Sequence, residues 1–320
     1  MSFEHLTPDE ILDAVETAIG FALTGLTVTL PSYINRVYEL RAKDGMKLIV
    51  KFYRPGRWSI DAIRDEHLFM LDCAESELPI VAPLQLKNNE TIGIHDNVFF
   101  AIFPKKAGRQ LEITDDAIWS RLGSLIARLH LAGEKRPAPH RVIIAPGISA
   151  LQDVEYLCDN IIPSEFRKGY GDMARKLMDL SAKSFEKTEH IRIHGDCHRG
   201  NILDRMDEGL LLIDFDDMAM GPPVQDMWLL LPDRLSASSH EIELFLEGYE
   251  QFRKFDHKSL NCIEPLRAMR MIYFLAWCSR QADDICFRKN FPNWGNSSFW
   301  QHEINDLKEQ LGFITDSLDS

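Results

Sequence analysis

Two short stretches constrain this chain more than anything else in it: HGDCHRGNIL, from His194 to Leu203, and LLLIDFDD, from Leu210 to Asp217. The second reads as an apolar strand over Leu210–Ile213 that runs into acids, Asp214, Asp216 and Asp217. One aspartate capping a turn is ordinary. Three so close repel one another unless a cation or hydrogen-bond donors compensate. The first stretch adds a carboxylate, Asp196, and a neutral oxygen donor, Asn201, in a glycine-bracketed loop. Hard cations such as Mg²⁺ favour oxygen donors of this kind and keep waters and substrate phosphates as their remaining ligands. An aspartate beside an acceptor hydroxyl can orient it and take its proton, which is a second use for Asp196. Zinc held by His194, Cys197 and His198 is the rival local reading. Adjacent Cys-His departs from the usual ligand spacing, and no second ligand pair follows.

A lysine far upstream belongs to the same question. Lys51 sits in LIVKFY, an otherwise apolar strand, where an unpaired buried ammonium would be costly. The bland alternative is an edge strand with its lysine in solvent. The next helical stretch, opened by Ser59, places Ile63, Glu66 and Met70 on one face. An inward glutamate and an inward lysine make a natural pair, able to hold the lysine against a phosphate. Asp61 and Asp65 fall off that stripe and read as solvated charges.

The order of elements supplies the architecture. Thr7, Pro8 and Glu10 form a helix start with a capping box. YINRVYEL and MKLIVKFY flank the turn signal Asp44-Gly45. Further strands are expected at Ile80–Leu84 and Val98–Phe103, with Asn88-Asn89 as the turn between hairpin arms. Past residue 104 the pattern becomes helical, beginning with TDDAIWSRLGSLIARLHLAG, which Thr114 would cap and Gly133 close. A strand–loop–strand interruption spans Ile191 to Asp217. The expectation is an α+β protein of two lobes, a β-rich one over residues 1–104 and a mainly helical one over 105–320.

Of the 320 residues, 45% are hydrophobic and 27% charged, as in ordinary globular proteins. A net charge of −13 argues against nucleic acid as the main partner. Six cysteines without a C-x-x-C pair fit reduced thiols in a cytoplasmic protein. The N-terminus shows no secretory pattern, and no apolar run approaches the ~20 residues of a membrane helix.

HGDCHRGNIL followed by IDFDD closely resembles the catalytic and metal loops of the aminoglycoside-phosphotransferase-like branch of the protein-kinase superfold. SYINRVYEL, VKFYRPGRW, GPPVQDMW, IEPLRAMRMIYFLAW and KNFP extend the resemblance along nearly the whole chain, to a group of bacterial stress-response serine/threonine kinases. It implies a bilobal protein-kinase-like fold that uses ATP and Mg²⁺. It also implies Asp196 as the catalytic aspartate, Asp214 as catalytic and principal metal aspartate, and Asn201 as the other metal ligand. Lys51 would bind ATP phosphates, Glu66 would position it, and Ser32 would contact phosphate. The expected acceptors are serine or threonine hydroxyls of proteins, the chain's own included. A small-molecule hydroxyl kinase acting on an amino alcohol, sugar or aminoglycoside is the alternative. A monomer without nucleic-acid or membrane partners is expected.

This chain departs from ordinary kinases in having no G-x-G-x-x-G; the equivalent hairpin begins LPSYINRV. Arg36 in it reads as a solvent-facing strand residue. Only Phe215 to Gln225 separate Asp214 from Asp226, little room for a long activation segment. Asp226 is expected to anchor the catalytic loop through backbone hydrogen bonds. Arg267, Arg270, Tyr273 and Trp277 recur at helical spacing and either line an acceptor groove or pack in the core. The same choice covers Trp294, which either lines that groove or anchors its loop.

Overall fold

The computed structural model describes residues 3, 6–32, 34–282 and 285–319. Helix α1 (Pro8–Ile19) starts as its sequence dictates. The Thr7 hydroxyl accepts from the Glu10 amide at 3.3 Å while the Glu10 carboxylate accepts from the Thr7 amide at 2.8 Å. Strands β1 (Leu23–Leu30), β2 (Arg36–Ala42) and β3 (Lys47–Phe52) follow, the last two joined at Asp44-Gly45. Ser59 caps α2 (Ile60–Glu75), its hydroxyl accepting from the Ala62 amide at 3.1 Å. Strands β4 (Gly93–His95) and β5 (Val98–Pro104) complete an antiparallel sheet of order β1-β2-β3-β5-β4.

The period of two in β3 decides where Lys51 goes. Leu48, Val50 and Phe52 pack with Ile11 and Val15 of α1 on one face of the sheet. Lys51 therefore faces the other side, where Ala101 packs with Ile63 of α2.

Beyond the sheet come β6 (Arg109–Gln110), α3 (Ala117–Glu134), a π-helical turn at Pro146–Ala150, α4 (Leu151–Asn160) and α5 (Ser164–Phe185). Four short strands interrupt the helices: β7 (Ile191–Ile193), β8 (Ile202–Asp204), β9 (Leu210–Leu212) and β10 (Ala219–Gly221). Helices α6 (Val224–Trp228), α7 (Ser239–Tyr249), α8 (Ile263–Ser279), α9 (Ile285–Asn290) and α10 (Ser297–Asp319) finish the chain. Strand β7 pairs with β10, and β8 stands between β6 and β9. The helices from α3 to α8, with α10, share one apolar core. The fold is the α+β, protein-kinase-like arrangement expected, with its sheet N-terminal and its helices C-terminal.

Local expectations fail at several points. Ile80–Leu84 is not a strand: Ile80 makes one isolated parallel bridge to Leu212, and Leu84 donates to the Ile102 carbonyl at 2.7 Å. Pro79 and Pro83 remove the donors a ladder needs. Asn89 does turn the chain, with φ of 65°, but the arm partnering β5 is β4. That hairpin turns at Asp96-Asn97, both in the left-handed region that a tight two-residue turn requires. Thr114 does not cap α3; Asp115 does part of that work, its carboxylate accepting from the Ile118 amide at 3.2 Å. Gly133 lies inside the helix, where a Cβ would fall 2.1 Å from the Arg192 carbonyl oxygen. It is glycine because β7 passes too close for a side chain, not because the helix ends there.

Cys73, Cys158, Cys197, Cys262 and Cys278 are free and buried; the Cys286 side chain lies outside the described residues. Trp294 packs edge-on or tilted against Phe287, Phe299 and Trp300, a loop anchor. No described helix is long and apolar enough to cross a membrane.

Candidate active site

Lys51 lies opposite Val37 and Ala101, between β2 and β5, so the edge-strand alternative fails. Its side chain is 10% exposed and its Nζ stands 3.5 Å from Glu66 Oε1, the pairing expected. Asp216 is nearer, at 2.7 Å, and Asp214 is 3.7 Å away. Burial alone would lower the lysine's pKa, but Asp216, Glu66 and Asp214 outweigh it and keep the ammonium charged. Glu66 is held from behind: the Tyr53 hydroxyl donates to Oε1 at 3.3 Å and in turn meets His67 Nε2 at 2.9 Å. Burial, helped by the charges of Lys51 and Arg141, takes His67 down to a pKa of about 3. The ring is therefore neutral. Asp61 is exposed and pairs with Arg64, but Asp65 is buried and accepts from the His140 amide at 2.8 Å. Off the apolar stripe it still found a backbone partner, which periodicity on one helix cannot reveal.

The loop carrying Asp196 is pinned by one buried carboxylate. Asp226 accepts from the amides of His194 and Gly195, each at 2.8 Å, and its Oδ2 lies 3.2 Å from His130 Nε2. Gly195 has φ of 81°, and a Cβ there would meet the Asp217 carbonyl oxygen at 2.2 Å. The loop thus turns through a position only glycine can fill. His194 Nε2 is 2.9 Å from the Ile213 carbonyl, and burial pushes the Cys197 thiol's pKa far up. Of the three groups in the rival zinc reading, His194 is thus engaged with a backbone carbonyl, His198 accepts from the Gly200 amide at 3.0 Å, and Cys197 is held as a neutral thiol.

Asp196 keeps its charge. Burial opposes ionisation, but His198 Nε2 at 3.4 Å from Oδ2 and Arg270 Nη2 at 2.9 Å from Oδ1 outweigh it and hold the carboxyl well below the usual range. Asn201 donates its amide nitrogen to the Asp196 carbonyl at 2.9 Å, which leaves its amide oxygen with acceptor capacity. Asp214 follows β9 with φ 61° and ψ 72°, a conformation aspartate rarely adopts and one that concentrates at functional positions. Its side chain is 56% exposed to the cleft.

These donors suit a hard divalent cation. Among the described residues no three His, Cys, Asp or Glu side chains close around a metal. A carboxylate and an amide oxygen would leave most positions to water and phosphate, the usual manner of Mg²⁺ beside a nucleotide.

The cleft is a cavity of about 460 Å³. Ser32, Asp196 and Asp214 share its wall with Arg270, Tyr273 and Trp277 of α8. Three of the four residues at helical spacing on α8 therefore face the cavity. Arg267 does not; its guanidinium lies 4.9 Å over the Trp228 ring and its Nε 3.6 Å from Glu264. Arg36 is exposed, over Phe3. Arg57 was invisible to local pattern: its Nη2 reaches Asp217 Oδ1 at 2.6 Å and Asp216 Oδ2 at 3.3 Å. So was buried Arg141, which donates to the carbonyls of Met218, Asp216 and Ala62. The segment after Asp214 is thereby tied down and paired through β10 to β7.

Residues 27–261 match the family model described as "Phosphotransferase enzyme family". The serine/threonine protein kinase RdoA of Salmonella typhimurium is 38% identical over 316 residues, which is 98% of this chain and 95% of that protein. Stress response kinase A of Escherichia coli K12 is 37% identical over 311 residues, 97% and 94% of the two chains. Among solved structures, an amicoumacin kinase in complex with AMP-PNP and Ca²⁺ superposes with a TM-score of 0.76 at 17% identity, covering 94% of this chain and 93% of that one. A microcompartment-associated aminopropanol kinase gives 0.71 at 14% identity, covering 98% of each. At such identities the likeness is one of fold.

Proposed function

Because the chain belongs to the phosphotransferase enzyme family, we propose that it transfers the γ-phosphoryl group of ATP, with Mg²⁺, to serine or threonine hydroxyls of proteins. The observation that carries the choice of acceptor is the pairing of the cavity's acids. Asp153 is paired with Arg280 at 3.2 Å, Asp196 with Arg270 at 2.9 Å and Asp217 with Arg57 at 2.6 Å. Asp216 is paired with Lys51 at 2.7 Å. Asp214 is the exposed one, and a metal would claim it. Among the described residues, the wall thus offers a polycationic acceptor no carboxylate that is not already neutralised. Phe274 and Trp277, stacked at 5.9 Å, present it with an aromatic surface instead. Two relatives similar along nearly their full length, one named a serine/threonine protein kinase and the other a stress response kinase, support the reading.

Within it, residues 1–104 form the nucleotide lobe and 105–320 the catalytic and acceptor lobe. Lys51, positioned by Glu66, binds ATP phosphates, and Ser32 adds a phosphate contact. Asp214 and Asn201 hold Mg²⁺, which when bound neutralises charge on the phosphates. Asp196 orients the acceptor hydroxyl and receives its proton as the new P–O bond forms and the bond to ADP breaks. Positioning and charge do the rest. Autophosphorylation and a part in stress response, in the cytoplasm and as a monomer, belong to the same proposal.

The small-alcohol alternative draws on the cavity volume of about 460 Å³, within the size range of small-molecule sites. Transfer from γ-labelled ATP to generic proteins, amino alcohols, sugars and aminoglycosides separates the two, with Asp196→Asn as control. Label on protein serine or threonine, absent in the variant, is expected. Label confined to a small alcohol would refute the protein reading while keeping the chemistry.

A further inference from the structure

Arg270 has two properties that the phosphotransfer scheme leaves unused. Among the described residues lining the cavity it is the one lysine or arginine, beside five aspartates. It also touches the catalytic carboxylate directly, Nη2 to Asp196 Oδ1 at 2.9 Å. A guanidinium carries five N–H donors in a planar fork. One is given to Asp196, and the side chain is 39% exposed to the cleft. The other cations near the cavity sit on other acids: Lys51 on Asp216, Arg57 on Asp217 and Arg280 on Asp153.

An acceptor oxygen must come within hydrogen-bond reach of Asp196, about 2.6–3.2 Å, to lose its proton there. Whatever lies next to that oxygen on the acceptor is then within reach of Arg270. The free edge of the fork matches a carboxylate or phosphate bidentately, and a cation on the acceptor would meet it as a like charge. We propose that Arg270 determines acceptor specificity: it binds an anionic group adjacent to the hydroxyl that is phosphorylated, sharing its guanidinium between that group and Asp196. This rests on the phosphotransferase reading of the site and adds the chemical class of its acceptor. Tyr273, whose hydroxyl lies 3.4 Å from Asp217 Oδ1, and the Phe274–Trp277 stack form the adjoining wall for the rest of the acceptor segment.

The test is a steady-state comparison of matched serine peptides, flanked by Glu, phosphoserine, Gln or Lys, with the full chain. Wild type is expected to favour the Glu or phosphoserine peptide over the Lys peptide by about tenfold or more in kcat/KM, the scale of a charge-assisted hydrogen bond. The ratio between the Glu and phosphoserine peptides tells which anion it reads. Arg270→Gln, which keeps a donor for Asp196, should abolish the preference, Arg270→Lys should retain part of it, and Arg270→Glu should reverse its sign. A structural role for Arg270 would lower all peptides equally and reverse nothing. A wild type without preference, or an Arg270→Gln variant that keeps it, overturns the proposal. If peptides are not phosphorylated but small alcohols are, the protein reading fails and the same ratio is read on hydroxy acids against amino alcohols. Preference for the hydroxy acid then supports the role of Arg270, and preference for the amino alcohol refutes it.

Discussion

Asp226→Asn changes one atom of a residue with no predicted contact to substrate, and should nevertheless be costly twice over. The carboxylate is fully buried and holds the His194 and Gly195 amides at 2.8 Å each, with His130 Nε2 at 3.2 Å. Asparagine keeps one oxygen and turns the other acceptor into a donor, so one backbone N–H loses its partner and faces another N–H. A hydrogen bond to a charged group contributes about 1.5–3 kcal/mol, and an orphaned buried donor costs about as much again. A loss of at least roughly 3 kcal/mol follows, or about 6–12 °C in melting temperature at roughly 2–4 °C per kcal/mol. Because the loosened residues lead directly into Asp196, kcat should fall by about 10²-fold, the effect of a 1 Å misplacement, while KM for ATP moves little. Calorimetry and steady-state kinetics on the purified variant check both. A variant that melts within about 1 °C of wild type and turns over at its rate would refute the anchoring role.

Gly195→Ala forces a Cβ to within 2.2 Å of the Asp217 carbonyl at a φ of 81°, so it should cost at least ~3 kcal/mol or fail to fold, seen in soluble yield and melting. Burial, reinforced by Asp306, raises the Glu303 pKa to about 7. For an acid with a raised folded pKa, the folded state is penalised once the unfolded chain ionises, fully so above pH 7. Glu303→Gln should therefore raise the melting temperature at pH 8 and leave it unchanged near pH 4; an equal shift at both would contradict this. Asp216 runs the other way: burial opposes its charge, but Lys51 and Arg57 bring the pKa down to about 2. Its stabilisation is complete above the usual carboxylate pKa and is lost as pH falls through about 2, so the deficit of Asp216→Asn, read by urea unfolding, should shrink below pH 4.

What could be read from the sequence was what is encoded locally. Thr7 with Glu10, Ser59 and Asp44-Gly45 each write their structure within four residues. The Lys51–Glu66 pair was legible because a period of two and a period of 3.6 each point one charge inward, at elements adjacent in the chain. Asp216 as the nearest partner of Lys51 was not, since the two meet only after the helical region folds back on the sheet. Arg57 and Arg141 share that reason. Ile80–Leu84 shows the opposite error, an apolar run judged by composition while Pro79 and Pro83 denied it a ladder. Gly133 was misread as a stop signal because close approach of another strand leaves no mark in its own neighbourhood. On α8, spacing correctly grouped Arg270, Tyr273 and Trp277, and it swept in Arg267, which a small rotation carries to Trp228.

The most direct test of the whole account is single-turnover transfer from γ-labelled ATP by wild type, Asp196→Asn and Asp214→Asn, with nucleotide binding measured alongside. The account predicts label transfer by wild type that requires Mg²⁺, and a loss of about 10²-fold or more in both variants. Asp196→Asn should still bind ATP with Mg²⁺ as wild type does, while Asp214→Asn binds it more weakly. Transfer at the wild-type rate by Asp196→Asn, or metal-dependent binding untouched by Asp214→Asn, would contradict it.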